Sequence, residues 1–140
     1  MRVLGVDLGL REIGLAVSDP GGTIASPLRA VRIGTVGEAP GAVAEAAREV
    51  DAGAVVVGVP LGLAGEEGRV EARRARRFAK ALRALLGVPV YAVDESLSTR
   101  EAEERLKGRR SATSPHAAAA AVILQRWLDE PRGRTDGERG

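Results

Sequence analysis

This chain of 140 residues is long enough to form one domain with a buried core, and 44% of its residues are hydrophobic. It has no cysteine, which excludes disulfides, zinc–thiolate sites and thiol catalysis, and its formal net charge is only +2. No segment has the pattern of a signal peptide, and none is apolar for long enough to cross a bilayer. We therefore expect a cytoplasmic protein that does not associate with membranes.

The N-terminal part of the chain predicts three strands. The ranges 2–8 and 12–18 are rich in apolar residues, and the short break between them is typical of a hairpin. The sequence Asp19-Pro20-Gly21-Gly22 is a turn signal, and a third strand is expected over residues 23–33. This half of the sheet should therefore be antiparallel.

Helices and strands alternate along the rest of the chain. The apolar spacing predicts helices over 39–51, 67–86, 98–107 and 115–128, and strands over 54–59 and 88–93. Ser98 with Glu101 forms a capping box, and Ser114 precedes Pro115 at a first helical position. Residues 131–140 have no apolar content and are predicted to be a disordered tail, so the domain should comprise residues 1–130. The order of elements indicates an α/β fold whose later strands are parallel.

Asp7 is the most informative residue of the first hairpin. It comes at the end of an apolar run, and Gly9 follows two residues later. Burying an unpaired charge is costly, so this carboxylate needs a partner, most naturally a metal ion or a metal-bound phosphate. The alternative is a turn-capping role, because Asp-x-Gly is a common turn signal.

Two further acids, Asp94 and Glu95, follow the strand predicted over 88–93. The carboxyl ends of parallel strands face the ligand crevice in open α/β sheets, so one of these carboxylates is expected to meet Asp7. The alternative is that they are ordinary residues before a helix, where the helix dipole favours acids.

His116 is the only histidine and falls in the first turn of the last predicted helix. The N-terminus of that helix can point into the same crevice, which makes His116 a candidate site residue. A structural or merely solvated histidine is the alternative.

The helix predicted over 67–86 has a basic face. Residues 66–86 carry seven bases against three acids, a net charge of +4. Such a stripe can follow a phosphate backbone, although a solvated helix face gives the same pattern. The candidate nucleic-acid contacts are Arg69, Arg73, Arg74, Arg76, Arg77 and Lys80, together with Arg11 of the first hairpin.

Five segments of the chain resemble the YqgF/RuvX-type family of small RNase H-like nucleases, which are related to Holliday-junction resolvases. In order, these segments are Leu4–Gly9 with Ile13–Pro20, Val56–Leu61, Gly65–Gly68, Val93–Thr99, and Ala118–Gln125 with Leu128. Each segment is a weak signal alone, but the spacing of all five across residues 1–130 is specific.

The resemblance implies an RNase H-like fold, with a mixed five-stranded sheet of order 3-2-1-4-5, an antiparallel strand 2 and flanking helices. It also implies a divalent-metal nuclease that trims the 5′ end of precursor 16S rRNA or, alternatively, cuts branched DNA. Asp7, Glu95 and His116 would be catalytic, and these three with Asp94 would be the metal ligands. Asp94 would act as an outer-shell residue that orients the others, and His116 would be either a ligand or a general base. Structured RNA and pre-ribosomal particles would be the partners of a monomer or homodimer.

The chain departs from the family pattern at two positions. Ser96 stands where the family usually has Arg after the Asp–Glu pair. Counting back from Ile123-Leu124-Gln125 puts His116 where the family usually has Asp. Imidazole is an acceptable ligand for Mn²⁺ but a poor one for Mg²⁺, so we expect Mn²⁺ to be favoured over Mg²⁺.

Two other functions agree with parts of the sequence. The departures at Ser96 and His116 leave open a catalytically silent module that binds RNA or ribosomes. An Asp-x-Gly hairpin also opens actin-like ATPases and sugar kinases, but that fold needs a second such domain and the chain shows no second copy. Among nucleic acids we expect RNA to be preferred, because a net charge of +2 is small for holding the four duplex arms of a junction.

Overall fold

The computed structural model describes residues 1–59, 65–94 and 114–130 of the chain. Three strands come first: β1 (Arg2–Leu8), β2 (Glu12–Ser18) and β3 (Ala25–Arg32). A 3₁₀ turn over Val36–Glu38 is followed by α1 (Ala39–Glu49), β4 (Ala52–Val59), α2 (Gly65–Leu86), β5 (Val90–Asp94) and α3 (Pro115–Asp129).

The five strands form one sheet in the order β3-β2-β1-β4-β5. Strand β2 is antiparallel to both β1 and β3, whereas β4 is parallel to both β1 and β5. This confirms the predicted mixed sheet of order 3-2-1-4-5. Because β1 is the central strand, its carboxyl end is flanked by a strand on each side.

Helices cover both faces of the sheet, and the side chains of β1 alternate between them, as the two-residue period of a strand requires. Leu4 and Val6 belong to the core shared with α1 and α2. Val3 belongs to the core shared with α3, where Ile123 is fully buried. The odd-numbered residues of β1, Asp7 among them, therefore face α3.

The third strand is shorter than the predicted range of 23–33. Asp19 Oδ1 accepts hydrogen bonds from the backbone amides of Thr23 (2.7 Å) and Ile24 (2.8 Å), so the turn uses these amides and β3 begins at Ala25. The bonds from Ile24 and Thr23 hold the pKa of the Asp19 carboxyl below its ordinary value. Asp19 is therefore a carboxylate that caps a turn, the role that was the alternative for Asp7.

All the described elements, β3 included, begin and end within two residues of their predicted positions. α1 ends early because Asp51, with φ of 57°, leaves the helical conformation. α3 begins at Pro115 as predicted, with Ser114 Oγ accepting a hydrogen bond from the Ala117 amide at 3.0 Å. The predicted helix over 98–107, its capping box and the tail over 131–140 lie outside the described residues. No helix in the described ranges combines the length and apolar character needed to cross a membrane.

Candidate active site

Asp7 lies near the carboxyl end of the central strand. It is paired with Gly14 of β2, and its side chain is 16% exposed. Val6, the residue before it, is fully buried. Asp7 therefore presents one carboxylate at the edge of the sheet, on a rigid strand rather than on a loop.

Two glycines bring α3 into direct contact with the sheet. A Cβ atom on Gly14 would collide with the backbone carbonyl of His116 and would lie 2.7 Å from the Ala117 nitrogen. A Cβ atom on Gly5 would lie 2.8 Å from the Cβ of Leu124. Only residues without a side chain allow this approach, and it places the first turn of α3 over the end of β1.

His116 uses this position to contact Asp7. Its Nδ1 lies 3.1 Å from Asp7 Oδ2, although the two residues are 109 positions apart in the sequence. An ionised carboxylate only accepts hydrogen bonds, so Nδ1–H is the donor in this contact, and in a neutral ring that tautomer leaves the lone pair on Nε2. The His116 side chain is 44% exposed, so this second nitrogen remains accessible. His116 thus lies in the same crevice as Asp7, as its place at the start of the last helix led us to expect, and among the described residues no backbone amide donates to the Asp7 carboxylate.

Glu12 joins the pair and was missed by the sequence analysis. Its Oε1 lies 3.7 Å from His116 Nε2, and its side chain is 34% exposed. The Gly9 amide donates to the Glu12 carbonyl at 3.1 Å and closes the hairpin. Asp7 is paired with Gly14, and Glu12, two residues before Gly14 on β2, lies on the same face of the sheet. The two-residue period of β2 is therefore the sequence signal that could have identified Glu12.

The donor chemistry at this edge suits a divalent cation, but the number of donors is small. Carboxylate oxygens and an imidazole nitrogen are ligands that Mn²⁺ accepts. Within residues 1–59, 65–94 and 114–130, no group of three or more His, Cys, Asp or Glu residues is arranged to hold an ion by itself. The described residues alone thus do not make up a complete set of ligands, and other oxygens would have to complete it.

The predicted pair of acids after β5 is only partly described. Glu95 lies outside the described residues, and so does Ser96. Asp94 ends β5 in register with Val59 of β4. Because β4 lies between β5 and β1, two strand spacings of roughly 5 Å each separate the backbone of Asp94 from that of Asp7. A metal-binding role for Asp94 and Glu95 stays a prediction.

The structure divides the predicted basic stripe. Arg74 is only 15% exposed, and it contacts the protein: Nη1 lies 2.9 Å from Glu71 Oε1, and Nη2 donates to the Leu8 carbonyl at 3.1 Å. Arg69 pairs with Glu66 at 3.0 Å on the surface. Arg69 is exposed despite this pair, and so are the remaining members of the predicted set: Arg11, Arg73, Arg76, Arg77 and Lys80. Arg74 thus fastens α2 to the end of β1, and the exposed bases are the ones available to a phosphate backbone.

Known proteins match this chain over most of its length. A family model described as "RuvX: Holliday junction resolvase" matches residues 1–130. A protein of Anaeromyxobacter sp. (strain K), named "Putative pre-16S rRNA nuclease", is 48% identical over 134 residues, which cover 92% of this chain and 97% of the relative. A protein of the same name from Syntrophus aciditrophicus (strain SB) is 40% identical over 136 residues, covering 92% and 89% of the two chains.

Solved structures share the fold. Thermus thermophilus RuvC in complex with a Holliday junction substrate matches with a TM-score of 0.65 and 23% identity, covering 91% of this chain and 94% of that one. The fowlpox virus Holliday junction resolvase matches with a TM-score of 0.59 and 10% identity, covering 91% and 98%. At these identities the likeness concerns the fold, and it confirms the predicted RNase H-like architecture.

Proposed function

We propose, because this chain belongs to the RuvX family, that it is the nuclease that trims the 5′ end of precursor 16S rRNA. The observation that carries the proposal is the contact of His116 with Asp7 at the carboxyl end of β1. Relatives that cover 92% of this chain and bear the name of a pre-16S rRNA nuclease favour RNA as the substrate.

The described side chains have distinct roles in this proposal. Asp7 Oδ2 accepts a hydrogen bond from Nδ1–H of His116 and so fixes the ring orientation and the tautomer. Nε2 of His116, the Glu12 carboxylate and the other oxygen of Asp7 are then the donors available to a divalent ion. The predicted ligands Asp94 and Glu95 would add to them. When bound, such an ion would supply Lewis-acid stabilisation of the charge that develops on the scissile phosphate.

The identity of the metal follows from the nitrogen donor. Imidazole binds Mn²⁺ better than Mg²⁺, so we assign Mn²⁺ as the favoured ion and Mg²⁺ as the weaker one. The same Nε2 lone pair can instead take a proton from the attacking water, in which case His116 is a general base. The ligand role predicts a metal preference that depends on His116, whereas the base role does not.

The exposed bases would hold the RNA. Arg11 lies in the hairpin loop between β1 and β2, close in sequence to Asp7 and Glu12. Arg69, Arg76 and Lys80 are exposed on α2. Contacts of these bases with phosphate would give affinity without sequence preference. We place this activity in the cytoplasm, where precursor rRNA in pre-ribosomal particles would be the partner.

The test compares purified wild-type protein with Asp7→Asn and a matched control, Asp51→Asn. Asp51 is exposed at the other end of the sheet, and its φ of 57° is one that Asn tolerates. We expect Asp7→Asn to lower cleavage of a precursor-rRNA mimic by about 100-fold or more, with little change in thermal stability. Asp51→Asn should cleave at the wild-type rate. Wild-type turnover by Asp7→Asn would refute the proposed site.

Resolution of branched DNA is the second candidate, because the matching family model is described as a Holliday junction resolvase. A two-fold dimer would suit the symmetry of such a substrate. A four-way DNA junction, tested beside the RNA at one salt concentration in Mg²⁺ and in Mn²⁺, decides between them. We expect faster cleavage of RNA. Paired symmetric nicks in the junction at an equal or higher rate would favour the resolvase, and no cleavage of either substrate would favour a silent binding module.

A further inference from the structure

A groove lies on the face of the sheet opposite to Asp7 and His116, between α2 and the start of α1. Its volume is about 520 Å³, within the range of ligand-binding clefts. Leu8, Ala39 and Phe78 form its floor, and Val36 and Val70 line it from α1's entry turn and from α2. We call it the α1–α2 groove.

The groove exposes large apolar side chains that the core does not use. Val36 is 40% exposed and Val70 is 44% exposed, and they belong to different elements that line the same groove. Single exposed apolar residues are common on protein surfaces, but these two meet in one concave groove, which makes the groove a candidate binding site.

The charged residues in the described part of the groove lining are all positive. Arg73, Arg74 and Arg77 line it, and none of the described residues that line it is acidic. Along α2 the lining runs from Val70 to Ala81, which corresponds to about 16 Å or three helical turns. Arg74 is held in place by Glu71 and by the Leu8 carbonyl, so one of the positive charges is fixed.

We propose that the α1–α2 groove docks an acidic amphipathic helix of a partner protein. The apolar side chains of such a helix would fill the floor between Val36 and Val70, and its carboxylates would meet Arg73 and Arg77. A groove three turns long, with an apolar floor and a charged rim, suits the helix-in-groove mode of recognition.

Other occupants fit less well. Unpaired nucleotides are held by stacking on exposed aromatic rings, but Phe78, the aromatic residue among the described residues that line the groove, is only 5% exposed. A second copy of this chain, related by a two-fold axis, would bring Arg73 and Arg77 towards their own counterparts, and like charges repel. The proposal does not depend on the nuclease activity, because none of its lining residues is Asp7, Glu12 or His116.

The probe is a synthetic helical peptide of about 12 residues, with Leu at positions i, i+3, i+4 and i+7 and Glu on the other face. Two matched peptides carry Lys in place of Glu or Ser in place of Leu, and a single-stranded oligouridylate represents RNA. Binding is measured by fluorescence anisotropy with the full chain. We expect the acidic amphipathic peptide to bind, and the basic and leucine-free peptides to bind at least about tenfold more weakly, a difference of 1.4 kcal/mol.

Matched variants locate the binding. Val70→Asp tests the groove, and Leu85→Asp is its control on the same helix, because Leu85 is 47% exposed and does not line the groove. Arg77→Glu and Lys80→Glu form a second pair, since Lys80 is exposed on α2 outside the groove. We expect Val70→Asp and Arg77→Glu to weaken peptide binding about tenfold, and the two controls to change it by less than about twofold.

Several results would overturn the proposal. Equal binding of the leucine-free peptide, or equal losses in both variants of a pair, would mean unspecific charge attraction. The groove would be assigned to RNA if oligouridylate displaced the peptide completely and if Val70→Asp also abolished oligouridylate binding. Self-association in sedimentation experiments that Val70→Asp abolishes would assign it to a second copy of the chain.

Discussion

Replacement of Gly14 by Ala tests whether the close approach of α3 to the sheet sets the activity. The added Cβ would meet the backbone of the neighbouring helix, at 2.7 Å from the Ala117 nitrogen, where ordinary contact begins at 3.4 Å. Backbone atoms cannot rotate away, so the start of α3 must retreat by about 0.7 Å or more, and His116 moves with it. Overpacking of this kind costs about 1–3 kcal/mol of stability, and a displacement near 1 Å can lower the rate about 100-fold.

Two glycine variants serve as comparisons in thermal unfolding and in RNA cleavage well below the melting temperature. Gly5→Ala meets Leu124 at 2.8 Å, further along α3, and should lose similar stability but less activity than Gly14→Ala. Gly41→Ala lies in α1 with nothing within 4 Å of its added Cβ, and should gain about 0.5–1 kcal/mol without loss of activity. Wild-type cleavage by a destabilised Gly14→Ala protein would show that activity does not require this position of His116.

Three further predictions concern the metal, the RNA contacts and the first turn. His116→Asp should shift the preference of the nuclease from Mn²⁺ towards Mg²⁺ in cleavage assays, and an unchanged metal profile would reject a ligand role for His116. Arg69→Ala and Arg76→Ala should each reduce the slope of log affinity against log salt by about 0.7–0.9, whereas an unchanged slope would make both residues part of a solvated helix face. Because the pKa of Asp19 is lowered, its stabilising effect is present above the ordinary value of 3.8 and is lost as pH falls through the lowered value. Asp19→Asn should therefore weaken the pH dependence of unfolding in this acidic range, and an identical dependence in both proteins would contradict the role of the turn.

The sequence was sufficient to predict the positions of the described strands and helices and the family of the protein. Strand and helix periods placed the ends of all the described elements within two residues of their positions. Five motif segments in matching order and spacing, the first of them around Asp7, indicated the family, and the family model and the relatives confirm the expectation of a nuclease. The signals for strands and helices are local, because the hydrophobic period, turn residues and capping residues act over a few neighbouring positions.

Contacts between distant segments required the tertiary structure. The His116–Asp7 contact joins residues 109 positions apart, and it exists because Gly14 lets a helix backbone rest on the sheet. The pairing of β1 with β2 places Glu12 near His116. Arg74 is not part of the exposed basic face, because its guanidinium donates to the Leu8 carbonyl. Sequence alone singled out Asp7 and His116 as candidates for a nuclease site, but not Glu12. Only the packing of α3 and α2 on the sheet decided which of them meet, because distances between segments depend on how closely the backbones approach.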